Sequence, residues 1–324
     1  MREKHSIKGF RRLIYLVIPV VVLIIGLLGI RGDRYEEIDK TELIRRTYGV
    51  FAPEIPDSLE FAGEEVPLMN FDTRESLDRE LLVNTYFHSQ TLLYIKKSPR
   101  YFPVIEPILK EYNIPEDFKY MPLVESGLSN AISPANAVGY WQLMKGTAIE
   151  NGLEINSEID ERYHLEKSTV AACKYLLKSY EKYQNWTLVA ASYNNGRRGV
   201  DRQVERQEEM DYYNLLLNDE TARYIFRILA LKTILEEPET YGFYYEEEDL
   251  YKPLDSYEVI VDSSITSFAE FAKSYNTNYK ILKFLNPWLR ETYLTNKEGK
   301  PYRIRIPEVG GRTLPVEKIP DTTK

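Results

Sequence analysis

Cysteine and histidine are almost missing from these 324 residues: one cysteine, Cys173, and three scattered histidines, His5, His88 and His164. A disulfide within the chain is impossible, and neither a Cys/His zinc spacing nor an HExxH helix occurs. Cys173 lies in the apolar helical stretch STVAACKYLL and reads as a core thiol. GxGxxG, GxxxxGK[ST] and GxSxG segments are absent too, which removes the usual marks of nucleotide binding and of serine-hydrolase chemistry. Positive charge is in deficit: 42 Lys+Arg against 50 Asp+Glu leaves −8, the wrong sign for a nucleic-acid partner. What remains, 43% hydrophobic and 28% charged, suits one or two globular domains with a sizeable core.

One long apolar run is present. Residues 13–30, LIYLVIPVVVLIIGLLGI, are 18 uncharged and mainly apolar residues. As a helix they reach about 27 Å, near the thickness of a bilayer core. Arg2, Lys4, Lys8, Arg11 and Arg12 precede them against Glu3 alone, so the positive-inside rule keeps that end in the cytoplasm and exports the rest. A cleaved signal peptide competes with this reading. The flank GLLGIRGD offers no small-x-small cleavage site and no lipid-bearing cysteine follows, which favours an uncleaved anchor. Residues 1–32 are thus expected to form a cytoplasmic tip and transmembrane helix of a single-pass inner-membrane protein. Residues 33–71, with Pro53, Pro56 and Pro67 and many acids, are expected to be a stem.

From residue 72 the periodicity becomes helical, and strand signals nearly vanish until about 240. Asp72 with Glu75, and Asn113 with Glu116, have capping-box spacing, and Ser168 is a candidate cap for STVAACKYLLKSYEKY. SLDRELLVNTYFHSQTLLYIKK and YFPVIEPILKEY read as two successive helices, and DETARYIFRILALKTIL as a late one. An all-α body over 72–245 is therefore expected. A tyrosine-rich acidic connector leads to YEVIV, two short helices and YRIRIP, a small separate β-α-α-β domain over 253–310, with 311–324 as a tail.

The chemistry-bearing candidate is Glu125 in YMPLVESGLS. No charge precedes it from Tyr120 on, and none follows until Lys145. Phe118, Met121 and Glu125 fall on one stripe if the segment is a single helix, and Pro122 then frees the Phe118 carbonyl. Burial disfavours a charged carboxylate, so a carboxyl in such surroundings becomes a general acid near neutral pH. A glutamate that simply closes a helix against water is the plainer alternative, and the residues alone leave the two even. The next segment, SPANAVGYWQLMKGTA, sets the Gln142 amide beside Tyr140 and Trp141, a combination that suits a sugar: rings for the apolar pyranose face, amide for the hydroxyls. Ordinary core packing by Trp141 and Met144 is the competing account. Downstream, AASYNNG places Tyr193 and Asn194 at the end of an apolar helix.

ES at 125–126, GYWQLM at 139–144 and SYNNG at 192–196, in that order, resemble the lytic transglycosylases with a lysozyme-like fold. The resemblance runs from about 76 to 235 and includes DERYHLEKSTVAACKYL and ETARYIFRILALK. It implies cleavage of the MurNAc–GlcNAc bond of peptidoglycan glycan strands on the wall side of the membrane, with no cofactor and no metal. It also implies roles: Glu125 as acid/base, Ser126 as its support, Gln142 and Met144 as lining of the sugar site, Tyr193 as the hydrogen-bond partner of Glu125, with Asn194 beside it. Tyr140 departs from the family's leucine and Lys145 from its proline. Ordinary glycosidases use two carboxylates. Asp117 and Glu150 are the nearest acids along the chain, and neither shares Glu125's place, though a distant acid is not excluded. A lone Glu125 would protonate the leaving oxygen and then take the C6 hydroxyl proton, closing a 1,6-anhydro ring. A goose-type-lysozyme-like hydrolase and a non-catalytic wall-binding protein are the rivals. Within 253–310 the sequence resembles a lysin-motif (LysM) domain. VDSSIT stands where that family has a Gly-Asp-Thr-Leu turn, so glycan binding and a spacer role both stay open.

Overall fold

Side-chain caps start four of the helices in the computed structural model, which describes residues 50–312. The expected transmembrane segment and most of the expected tail lie outside the described residues. Among the described residues, no helix is long and apolar enough to cross a membrane.

The described chain opens with a two-residue-strand hairpin, β1 (Glu60–Phe61) and β2 (Glu64–Glu65), followed by α1 (Phe71–Tyr86), α2 (His88–Glu111), a 3₁₀ turn (Glu116–Tyr120) and α3 (Met121–Ser126). Next come α4 (Lys145–Glu150), α5 (Leu165–Tyr183), α6 (Trp186–Asn195), α7 (Arg197–Gln207) and α8 (Asp219–Glu236). The chain then gives β3 (Ser256–Val261), α9 (Phe268–Ser274), α10 (Tyr279–Leu285) and β4 (Tyr302–Pro307), with β3 and β4 antiparallel. This is a mainly helical molecule with a small C-terminal two-stranded sheet.

Helix α8 is the centre of the body. It packs on α1, α3 and α6, while α5 packs on α2 and α6. The reason lies in its sequence: Tyr224, Ile225, Ile228, Leu229, Ala230 and Leu231 are all buried, so nearly its whole circumference is apolar. Asn218 caps its start by accepting from Thr221 N, as Asn185 caps α6 by accepting from Leu188 N. The Cys173 thiol is buried, and burial pushes it up to about 12, as befits an inert core thiol.

Several local expectations give way to packing. The segment expected to be a stem is part of the body from Pro53 onward: Phe61, Val66 and Leu68 are buried in the main core, and Phe61 meets the Phe118 ring at 5.2 Å. Glu64 accepts from the backbone N–H groups of Trp186 and Thr187, tying the hairpin to the start of α6. The long predicted helix breaks at Phe87, and the two predicted helices on either side of Lys97 are instead one, α2. Pro99, Pro103 and Pro107 lie inside it at four-residue spacing. They line one stripe, Pro103 and Pro107 exposed and Pro99 half-buried, while Ile95, Ile105 and Leu109 hold the other face in the core. The predicted capping boxes do not form. Asn70 precedes α1, Asn113 sits at φ 52° after α2, and Ser168 lies inside α5 donating to the Leu165 carbonyl.

The C-terminal β-α-α-β piece is not free-standing. Its core of Phe268, Leu282, Trp288, Leu289, Ile304 and Ile306 takes in Val138, Ile159 and Tyr163 from the body. Asp160 N donates to Trp288 O at 2.9 Å and Arg290 N to Glu158 O at 2.7 Å, so the two parts share backbone hydrogen bonds as well as apolar surface.

Candidate active site

Glu125 stands in the last turn of α3, and the chain turns sharply just after it. Gly127 (φ 59°) and Leu128 (φ 51°) are both left-handed, with Gly127 N bonded to Leu123 O and Leu128 N to Pro122 O. The stripe through Phe118 is not one helix, since a 3₁₀ turn ends at Tyr120. Pro122 therefore sits in the first turn of α3, where its missing N–H costs little.

Glu125 is half-buried as a residue, while protein surrounds its carboxyl closely. Desolvation is the largest influence and pushes its pKa up to about 7. Two groups oppose the rise: Tyr224, whose hydroxyl donates to Oε1 at 2.5 Å, and the Arg227 guanidinium, whose positive charge favours the carboxylate. Glu220 adds to the rise through its negative charge. Burial raises the Tyr193 and Tyr224 phenols well above their usual range, so both keep the proton they donate. Asp117 is engaged by Lys232 at 2.9 Å and by the Ala62 N–H, and Glu150 pairs with Lys178. Neither of the two acids nearest in sequence serves the site. Glu220, from the first turn of α8, is the acid whose charge reaches Glu125.

The structure distributes the other expected residues over three jobs. Tyr193 does not bond Glu125: its hydroxyl donates to Trp141 O at 2.6 Å, although it lies near enough for the Glu125 charge to raise its pKa. Tyr224 makes the bond expected of Tyr193. Asn194 bridges to α8, donating from Nδ2 to Glu220 at 3.0 Å and accepting from Thr221 Oγ1 at 2.8 Å. Ser126 does not touch the carboxyl either; its hydroxyl reaches Tyr140 O at 2.8 Å and Pro122 O at 3.1 Å, pinning the end of α3 to the loop that follows.

That loop is braced from within. Gln142 adopts φ 48°, and its Nε2 donates to Ala131 O at 3.0 Å and Gly139 O at 2.8 Å. The amide's donors are thereby taken up by backbone, and among the described residues its carbonyl oxygen accepts no bond. Arg162, buried and paired with Asp160 at 2.7 Å, reaches the Asn136 and Leu143 carbonyls from the other side. Trp141 is fully buried and donates to Thr169 Oγ1, so it is core and not a platform for a sugar ring. Met144, 47% exposed, is the member of that pair left at the surface. Among the described residues no group of three His, Cys, Asp or Glu side chains could hold a metal ion.

Tyr224 was not a sequence candidate, yet a signal for it existed. Glu220, Tyr224 and Arg227 recur at spacings of four and three on α8, which sets an acid, a phenol and a guanidinium on one face of the helix.

Residues 103–216 match the family described as "Transglycosylase SLT domain", and residues 257–310 match the "Soluble lytic transglycosylase C-terminal LysM-like domain". The chain is similar to "Membrane-bound lytic murein transglycosylase D" of Escherichia coli strain K12, 30% identical over 191 residues, covering 56% of this chain and 41% of that protein. The protein of the same name from Escherichia coli O6:H1 matches to the same extent. The chain thus spans less than half the length of the curated relatives it matches.

Proposed function

We propose that this chain is a peptidoglycan lytic transglycosylase that cleaves the β-1,4 bond between MurNAc and GlcNAc without water. The observation that carries the reading is the desolvated Glu125 carboxyl, poised near neutral pH under the Tyr224 hydroxyl. In its protonated form Glu125 gives its proton to the glycosidic oxygen, and the departing GlcNAc leaves as an alcohol. The MurNAc N-acetyl oxygen supports the positive charge that develops at C1. Glu125, now a carboxylate held by the Tyr224 hydroxyl and faced by Arg227, removes the proton from the C6 hydroxyl. The C6 oxygen closes on C1, giving a 1,6-anhydro end and restoring the acid. The matched SLT domain and the murein transglycosylases that resemble the chain support the same reading.

In this scheme Glu125 keeps the catalytic role expected of it, with Tyr224 as its hydrogen-bond partner. Gln142 and Asn194 hold the surrounding loop and the Glu220 side chain, and the exposed Met144 is available to a sugar. Residues 13–30 anchor the chain in the inner membrane with the catalytic part on the wall side.

Mass spectrometry of the fragments released from purified sacculi by the detergent-solubilised full chain tests this. Anhydro-ended fragments, lighter by one water than reducing-ended ones, are expected. Reducing ends alone would favour a second reading, hydrolysis as in goose-type lysozyme, for which the Glu220 charge beside Glu125 is the supporting observation. No fragments at all would leave a wall-binding protein.

The Tyr224 hydroxyl stabilises the charged form of Glu125, so its removal should raise the Glu125 pKa further. Because the first step needs the protonated acid, activity falls as pH rises through that pKa. Tyr224→Phe should therefore move the alkaline limb of the kcat/KM profile to higher pH, alongside a loss of rate. An alkaline limb that stays in place would show that the bond does not control Glu125.

A further inference from the structure

A cavity of about 630 Å³ lies between the helical body and the C-terminal sheet, and Glu125 is not among its lining residues. Its volume falls in the range of small-ligand sites. Tyr101, Tyr140, Tyr251 and Trp288 give it an aromatic wall, and Lys97 and Arg100 enter it from one face of α2. Neither cation has a carboxylate partner among the described residues. Lys97 Nζ donates to Gly127 O at 2.8 Å. Arg100 Nε donates to Lys252 O at 2.9 Å, with its guanidinium 5.3 Å from the Tyr251 ring centre.

The acid in the wall, Glu166, is already taken by Arg305 and faces His164. Burial also pulls the Lys97 ammonium below its usual range, a cost that a bound anion would offset. On a chain of net charge −8, two half-buried cations without a carboxylate partner in one cavity favour an anionic ligand. In the same wall, Asn130 Oδ1 is buried without a donor, while its Nδ2 reaches Tyr140 Oη at 3.4 Å. A ligand matched to this wall offers a carboxylate, an N–H donor and apolar surface to set against rings. A short peptide with free carboxylates has all three, whereas a neutral N-acetyl glycan lacks the anion.

We propose that this cavity binds the carboxylate-bearing peptide stem of peptidoglycan, with Lys97 and Arg100 taking a carboxylate and Asn130 Oδ1 accepting a peptide N–H. The choice of a wall peptide as its source rests on the transglycosylase reading above. The cavity would then recognise peptide-bearing strands through groups other than Glu125 itself, making this enzyme selective for wall that still carries its stems.

Titration calorimetry of the full chain in detergent micelles tests the proposal. The probes are L-Ala–γ-D-Glu–L-Lys–D-Ala–D-Ala, its fully amidated analogue, and chitotetraose. The pentapeptide should bind. Amidation, Arg100→Gln or Lys97→Gln should each weaken it at least about tenfold, as expected for loss of a charge-assisted contact. Arg100→Gln should leave unchanged both chitotetraose binding and the cleavage of glycan stripped of peptide. A pentapeptide that does not bind, or that binds both variants and wild type alike, overturns the proposal. Cleavage of stripped glycan is read in parallel. Cleavage without peptide binding removes this inference alone; peptide binding without cleavage keeps the cavity site and removes the enzymatic reading.

Discussion

Glu125→Gln should lower the rate of glycan cleavage by about 10³-fold or more, since one group supplies both the acid and the base step and each is typically worth 10²–10⁴. The same substitution should stabilise the fold at alkaline pH. The native carboxyl holds its proton up to about 7, whereas in an unfolded chain a glutamate releases it near ~4.3. A carboxyl whose folded pKa is raised contributes stability that is complete below the unfolded pKa and lost as pH rises through the folded one. At pH 8 the wild type bears the cost of a desolvated charge, and the amide, which can still accept from Tyr224, does not. The Gln variant should gain roughly 2 kcal/mol over the wild type between pH 5 and pH 8, or about 4–8 °C in Tm for a body of this size. Scanning calorimetry at the two pH values checks this. A Tm difference that is the same at both would mean that Glu125 is not held protonated, and the general-acid reading would lose its basis.

Gly139→Ala should be the most damaging single-methyl change near the site. Gly139 has φ 82°, a conformation that L side chains rarely adopt, and an added Cβ would stand 2.0 Å from the Arg162 carbonyl oxygen. That oxygen is backbone and cannot swing aside. Gly139 also donates to Ala131 O at 2.9 Å and accepts from Gln142 Nε2, so displacing it loosens the loop between Ser126 and Met144. A loss of about 3–5 kcal/mol is expected from strain and overpacking combined, with a fall in activity as Tyr140 O moves away from the Ser126 hydroxyl. Gly146→Ala is the control. It lies in α4, an added Cβ would meet nothing within 4 Å, and no strained φ is involved, so urea unfolding should show a change near zero or a gain of about 0.5–1 kcal/mol. A Gly139→Ala midpoint matching the wild type would remove the close approach to Arg162 from the account.

The expectations that failed were local ones overruled by contacts far along the chain. Pro99 falls in the gap between two predicted helices, yet α2 runs through it, as through Pro103 and Pro107, because its opposite face is locked into the core. Residues 53–71 read as a stem because prolines and acids dominate their composition, while the three residues that matter, Phe61, Val66 and Leu68, are too few to register as a pattern. Trp141 and Met144 were equal candidates for core or surface until the loop's path placed the indole against Thr169.

The amino-acid order by itself singled out Glu125. A lone charge at the end of an apolar segment is a property of neighbours in sequence, which made Glu125 a candidate; its desolvation came only with the fold. The order of helices over the body and the β-α-α-β tail of the described chain were legible for the same reason: hydrophobic period and strand alternation are local. Which phenol meets the carboxyl was not. Tyr193 and Tyr224 both lie near Glu125, and only the crossing of α3, α6 and α8 sends one hydroxyl to Trp141 O and the other, 99 residues from Glu125, to the acid itself. The Glu220 charge, the Arg162 brace and the cavity of Lys97 and Arg100 likewise exist only once distant segments pack. The isolation of a charge can be read along a chain, but a hydrogen bond needs two atoms within about 3 Å, and tertiary packing alone decides which atoms those are.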